Sequence, residues 1–219
     1  MSAKVRLGVL VSGSGSNLQA LLDAAARPDY PAQVAVVLSN VPTAFALERA
    51  RKANVPTEVV EHKGFAQREA FETRLVEVLR ARGVELVALA GFMRIVGPTF
   101  LRAFPQRVLN IHPALLPAFP GLHGPRQALL HGAKLAGCTV HFVDEGTDTG
   151  PIIAQAAVPV LPDDDEAALA QRILAEEHQL YPRVVRWVAE GRVRVEGRVV
   201  RIDGAPPGVG TLSLRNPGA

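Results

Sequence analysis

Asn110, His112 and Asp148 are the side chains whose types and spacing could do chemistry in this sequence. Asn110 and His112 stand two positions apart in the strand-like run Val108-Leu109-Asn110-Ile111-His112, and an extended chain turns such a pair to one face. Both could therefore reach one substrate atom at the carboxyl end of a sheet strand, the edge where open α/β sheets bind ligands. Of the six histidines only His112 is followed by proline, and Pro113 fixes how the chain leaves the strand. A solitary histidine is commonly a satisfied structural group, but one at a strand end beside an asparagine points to catalysis. Asp148, in Glu145-Gly146-Thr147-Asp148-Thr149-Gly150, reads either as a turn residue or as a carboxylate that favours the protonated imidazole and so tunes a proton donor.

A second candidate is the turn Ser12-Gly13-Ser14-Gly15-Ser16, where the backbone N–H groups of Gly15, Ser16 and Asn17 could hold a phosphate at a helix N-terminus. The same residues fit a plain cap, because Ser16-Asn17-Leu18-Gln19 matches the capping-box pattern. A dinucleotide fingerprint is disfavoured, since Leu18 stands where a third glycine would and the second strand ends in Ser39-Asn40 with no acidic residue for a ribose. There is no Gly-Lys-Ser/Thr phosphate loop, and Ser14 lacks the glycine of a nucleophile elbow. His112, His123, His141, Asp144 and Asp148 could supply metal ligands, but none stands at an established zinc spacing, so no metal is expected.

These groups need a scaffold, and the hydrophobic pattern supplies one. Residues 5–11 form an apolar run without helical period, followed by the glycine turn and then Leu18, Leu21 and Leu22 at helical spacing. The alternation repeats as strand 34–38 with helix 44–53, strand 57–60 with helix 67–82, strand 86–90 with helix 98–104, and strand 108–111 with helix 123–132. Such alternation implies right-handed crossovers and a parallel sheet covered by helices on both faces. Runs 138–143 and 152–160 are joined by a loop too short for a parallel crossover, so they should be antiparallel. The expected fold class is α/β, a Rossmann-like open mixed sheet, mostly parallel with an antiparallel C-terminal part. Asp163-Asp164-Asp165-Glu166 opens a long helix carrying Leu169, Ile173, Leu180, Val184 and Val188, which Pro182 should kink. Residues 192–202 alternate like a hairpin, and 205–219 should be loose. The expected organisation is an α/β domain over 1–190, with the hairpin and tail of 191–219 packed on it.

Composition bounds the function classes. With 48% hydrophobic residues among 219, the chain can bury a sizeable core without disulfides. The one cysteine, Cys138, sits in an apolar run and reads as a buried, inert thiol. No signal-peptide pattern and no run of eighteen apolar residues stands in the sequence, so a cytoplasmic protein without a membrane association is expected. The formal charge is +3, with arginines scattered along the chain, which suits anionic small molecules and not nucleic acid.

The motifs Ser12-Gly13-Ser14-Gly15-Ser16-Asn17-Leu18-Gln19-Ala20, Leu89-Ala90-Gly91-Phe92-Met93-Arg94, Leu109-Asn110-Ile111-His112-Pro113-Ala114-Leu115-Leu116-Pro117, Pro120-Gly121-Leu122-His123 and Asp144-Glu145-Gly146-Thr147-Asp148-Thr149-Gly150-Pro151 resemble the folate-dependent formyltransferases. The Ser-Gly-x-Gly-Ser-Asn start selects, within them, the phosphoribosylglycinamide formyltransferase (glycinamide ribonucleotide transformylase) family, and the similarity runs over about 5–187. The resemblance implies transfer of a formyl group from 10-formyltetrahydrofolate, as co-substrate, to the amine of glycinamide ribonucleotide in purine biosynthesis, without a metal. It implies Asn110, His112 and Asp148 as catalytic groups. Gly15, Ser16, Asn17, Leu18 and Gln19 would hold the phosphate end, and Glu177 with its neighbours 174–176 the ribose or glycinamide portion. Arg68, Met93, Arg94, Ile95, Val96, Asn110, Asp144, Glu145, Gly146, Thr147 and Asp148 would line the folate site, with Arg68 near the benzoylglutamate part. Without the resemblance, Met93, Ile95 and Val96 read as core and Glu177 as a solvated face.

Ser14 stands where some relatives carry asparagine, and the stretch after Arg192 matches poorly. The expected partners are small-molecule substrates, with a monomer or homodimer as the assembly. A formyltetrahydrofolate deformylase would use the same trio on water but resembles a chain with an extra N-terminal module. A methionyl-tRNA formyltransferase would carry a further C-terminal domain, and a non-catalytic phosphate-ligand binding module would not need His112.

Overall fold

Apolar runs that lack helical period become strands here because both of their faces are covered, and each is followed by a glycine, proline or polar turn that ends it. The computed structural model describes residues 3–204; residues 205–219, expected to be loose, lie outside them. In chain order the elements are β1 (Val5–Val11), α1 (Ser16–Ala25), β2 (Ala32–Ser39), α2 (Phe45–Lys52), β3 (Thr57–Val59), α3 (Arg68–Ala81), β4 (Leu86–Leu89), α4 (Pro98–Ala103), β5 (Val108–His112), α5 (Gly124–Leu130), β6 (Leu135–Phe142), β7 (Ile152–Pro159), α6 (Glu166–Ala189), β8 (Val193–Glu196) and β9 (Val199–Ile202). Each expected strand and helix is present. The sequence pattern gave no sign of the 3-10 turn His62–Gly64, and β6 starts at Leu135, three residues before the expected position.

Seven strands follow the order β3-β2-β1-β4-β5-β6-β7, a mixed sheet in agreement with the expected fold class. The chain divides into two compact units, and β5 passes from one to the other between Asn110 and Ile111. The first unit runs to Asn110 and includes Val143–Glu145. Its strand pairs β1–β2, β1–β4, β2–β3 and β4–β5 are all parallel. The order reverses on either side of β1, so the loops leaving β1 and β4 are neighbours at the carboxyl edge. Leu75 and Leu79 of α3 are fully buried with Leu10, Leu38, Val87 and Phe100. Gly8 permits this packing: a Cβ there would stand 2.5 Å from Leu79 Cδ2. Each such leucine stabilises the unit by roughly 1.5–3 kcal/mol through apolar burial.

The second unit takes Ile111–Phe142 and the described residues from Gly146 on. Here β6 and β7 are antiparallel, from Leu135↔Pro159 to His141↔Ile152, as the short connection required. Helix α6 packs on both strands and buries Leu169, Ile173, Leu180, Val184 and Val188. Asp165 caps it, its carboxylate accepting the Ala168 N–H at 2.7 Å, and the helix continues through Pro182. Cys138 is free and buried, and burial, aided by the negative charge of Glu177, pushes its thiol well above the ordinary range. The hairpin β8–β9 forms a separate two-stranded sheet, with Arg194 and Arg201 on its exposed face.

Candidate active site

The loop leaving β1 is built from main-chain groups. Gly15 is the N-cap of α1 at φ 72°, and no side chain caps the helix. The expected capping box is therefore absent: Gln19 instead donates to Asp23 at 2.9 Å and accepts from Arg49 at 3.3 Å. A left-handed N-cap requires glycine, and with its Cβ absent α2 approaches until Ala46 Cβ would lie 2.5 Å from any side chain at Gly15. Ala46 N–H donates to the Gly13 carbonyl at 3.0 Å, and Arg49 Nε donates to the Ser14 carbonyl at 2.8 Å. The Arg49 guanidinium lies 5.0 Å over the Phe45 ring. The turn that opens α1 is thus held by a cation on its Ser14 carbonyl and carries no side-chain cap, an arrangement that suits an anion at a helix N-terminus.

Ser12 ties this loop to its neighbours. Its hydroxyl donates to Asn40 Oδ1 at 2.6 Å and accepts the Met93 N–H at 2.8 Å, and its own N–H donates to the Gly91 carbonyl at 3.1 Å. The loop leaving β4 is held in this way at the point where the strand order reverses. Met93 and Ile95 are 61% and 60% exposed, whereas Val96 is core. The core reading of the first two fails because they stand in a loop before Pro98 and not in a packed element. Arg68, at the start of α3, pairs with Glu72 at 2.7 Å. Arg94 is exposed, and Asp144 and Glu145 belong to this same unit.

In the second unit the late loop and two strands bring a carboxylate between two imidazoles. Asp148 Oδ2 lies 3.4 Å from His112 Nδ1 and accepts the Gly121 N–H at 2.8 Å. Asp148 Oδ1 lies 3.7 Å from His141 Nε2. His112 Nε2 stands 2.9 Å from the Phe119 carbonyl, so both of its ring nitrogens face oxygen acceptors, which only the doubly protonated ring meets with two donors. Burial alone would raise the Asp148 carboxyl; the His141 ring, the Gly121 N–H and the charge of His112 outweigh it and hold the carboxyl below its ordinary 3.8. Asp148 adopts φ 55°, which aspartate tolerates better than most residues, and Gly146 lets the loop turn back on Thr149.

The remaining expected positions divide by type. Asn110 precedes His112 by two residues in β5 and is paired in register with Leu89. Glu177 is 5% exposed and faces inward, which overturns the reading of a solvated face. The Leu18 side chain is core, so only its main chain could serve a ligand. Gly146 and Thr147 are exposed in the loop that carries Asp148. His123 faces Glu166 at 3.7 Å. Among the described residues no group of three or more His, Cys, Asp or Glu side chains is arranged to hold a metal ion, and no helix is long and apolar enough to cross a membrane.

Sequence reasoning missed Ser12 as a tie, Arg49 as a backing cation and Glu72, and it grouped His141 with Asp148 only as a possible metal ligand, not as the group that holds the carboxylate. Arg49 was one arginine among many. His141 sat in an apolar run whose alternation does not mark it.

The formyl transferase family model matches residues 5–185. Phosphoribosylglycinamide formyltransferase of Escherichia coli (strain K12) is 44% identical over 196 residues, covering 90% of this chain and 92% of that protein. The trifunctional purine biosynthetic protein adenosine-3 of Drosophila melanogaster is 50% identical over 196 residues; the match covers 89% of this chain but spans only 14% of that relative's length. The crystal structure of glycinamide ribonucleotide transformylase 1 from Symbiobacterium toebii superposes with a TM-score of 0.91 at 56% identity, covering 92% of this chain and 95% of that one.

Proposed function

We propose that this chain, which belongs to the formyl transferase family, moves the formyl group of 10-formyltetrahydrofolate onto the amino group of 5'-phosphoribosylglycinamide in purine biosynthesis. The observation that carries the reading is Asp148 3.4 Å from His112, in a chain matched over residues 5–185 to that family.

Attack of the amine on the formyl carbon places negative charge on the formyl oxygen. The Asn110 amide and the protonated His112 ring stabilise that oxyanion. Collapse of the tetrahedral intermediate breaks the bond from the formyl carbon to the folate nitrogen, His112 giving its proton toward that leaving nitrogen and regaining the one the amine gives up, with Asp148 balancing the ring's charge and His141 holding the carboxylate. Since Nε2 of His112 is engaged with the Phe119 carbonyl, proton delivery from that nitrogen requires the bond to be exchanged for one to substrate. Holding both substrates together supplies much of the rate.

Gly15, Ser16, Asn17, Leu18 and Gln19 receive the phosphate end through main-chain N–H groups, and Glu177 receives the ribose or glycinamide portion. The apolar faces of Met93 and Ile95, exposed in the loop after β4, fit a flat heterocycle. Arg68 fits the carboxylates of the benzoylglutamate part, and Arg94, Val96 and 144–148 complete the folate site. The enzyme acts in the cytoplasm as a monomer or homodimer, its α/β domain over 1–190 carrying the hairpin of β8 and β9.

The purified chain, supplied with both substrates, should release tetrahydrofolate only when the nucleotide is present. Release in water alone, at the same rate without nucleotide, would point to deformylation and contradict the assignment.

A further inference from the structure

Glu72 is a carboxylate that formyl transfer does not use, yet it is 1% exposed. A carboxylate stays charged in such a place only where donors and a countercharge replace its water. Its Oε1 accepts Arg68 Nε at 2.7 Å and the Gly97 N–H at 2.6 Å, and its Oε2 accepts the Phe100 N–H at 3.2 Å. The carboxylate thus fixes α3 to the buried end of the loop 93–97 and to the first turn of α4, whose N-cap Gly97 has no side chain to cap it.

Gly97 completes the arrangement. A Cβ there would lie 2.4 Å from Arg68 Nη2 and 2.7 Å from Arg68 Cζ, so the guanidinium rests directly on the glycine backbone. The Arg68 side chain remains 48% exposed, and its terminal nitrogens make no hydrogen bond among the described residues. A guanidinium held at Nε and braced from behind keeps its outer nitrogens as a preset fork for a carboxylate.

We propose that Glu72 is a positioning residue that, with Gly97, aims Arg68 at the glutamate carboxylate of the folate substrate. The proposal rests on the reading of Arg68 given above. Presetting the fork lowers the ordering cost of binding and makes the glutamate a specificity element.

The test compares the formyl-folate substrate with an analogue truncated at the benzoate, which lacks the glutamate, on the full chain. The parent should prefer the complete substrate, and Arg68→Ala should abolish that preference. Glu72→Gln and Gly97→Ala should each cut the preference by about tenfold, through a raised KM for the complete substrate, as expected for loss of a charge-assisted contact. KM for the nucleotide should not follow. A folded Glu72→Gln protein that keeps the parent's preference overturns the proposal, as does an equal loss on both folates. Should Glu72→Gln fail to fold, Gly97→Ala decides, because its added methyl presses first on the end of the Arg68 side chain and next on Glu72 Oε1, 2.9 Å away, and so displaces the same pair. A parent with no preference removes the Arg68 reading itself, and this inference with it.

Discussion

The loop after β1 and the cluster around Asp148 recognise charge with different materials. The loop uses backbone N–H groups and a glycine at φ 72°, backed by the guanidinium of Arg49. The cluster uses two imidazoles and a carboxylate, groups whose charge can change during a reaction. A loop of the first kind can bind a permanent anion but cannot exchange a proton, while the cluster can. Shape changes should therefore damage the loop and charge changes the cluster, and the two kinds of damage should appear in different kinetic constants.

His112→Ala tests the cluster at its centre. Turnover should fall by about two orders of magnitude or more, as loss of a proton donor and oxyanion partner requires, while the nucleotide still binds. Equal turnover in variant and parent would remove His112 from the chemistry. Asp148→Asn keeps a residue that accepts φ 55° and deletes the charge together with one of the two acceptor oxygens. Turnover should drop by about tenfold or more. The same variant has a pH signature: because the folded carboxyl lies below 3.8, its stabilising contribution is complete above the unfolded value and is lost as pH falls through the folded value. The stability gap between parent and Asp148→Asn, followed by acid unfolding, should be constant from neutral pH down to about 4 and close below it. A gap that persists unchanged at the lowest pH would count against the ionised pair.

Gly15→Ala attacks the loop by shape alone, since a side chain there faces both a left-handed φ and the Ala46 contact. The strain is roughly 1–3 kcal/mol, and KM for the nucleotide should rise by about tenfold, with kcat much less affected. A fall in kcat at unchanged KM would erase the proposed division between the regions. Arg49→Gln should be mildest, raising nucleotide KM by about two- to fivefold, because its partners are an exposed carbonyl and a half-buried amide. Binding of the nucleotide measured by calorimetry separates this from an effect on turnover, and a larger loss in kcat than in affinity would speak against a backing role.

The strand–helix alternation was legible because period 2 and period 3.6 burial are written directly into the apolar positions, and the antiparallel β6–β7 pair followed from the length of its connection. The pairing of His112 with Asp148 was expected from residue types and family resemblance, since no local pattern brings together positions 36 residues apart. Ser16-Asn17-Leu18-Gln19 misled as a capping box because local spacing cannot reveal that Gly15 takes the left-handed N-cap. Met93 and Ile95 read as core because hydrophobicity alone does not separate an apolar ligand surface from packing. Glu72 was invisible for the opposite reason: four residues after Arg68 on a helix, it reads as a surface ion pair, and only the approach of α4 buries it.

Transfer of an isotope-labelled formyl carbon, followed with both substrates saturating in parent and His112→Ala proteins, tests the assignment most directly. The label should reach the nucleotide's amine at a rate matching tetrahydrofolate release in the parent, and at least about a hundredfold more slowly in the variant. Label found as free formate, or transferred equally fast without the imidazole, would contradict it.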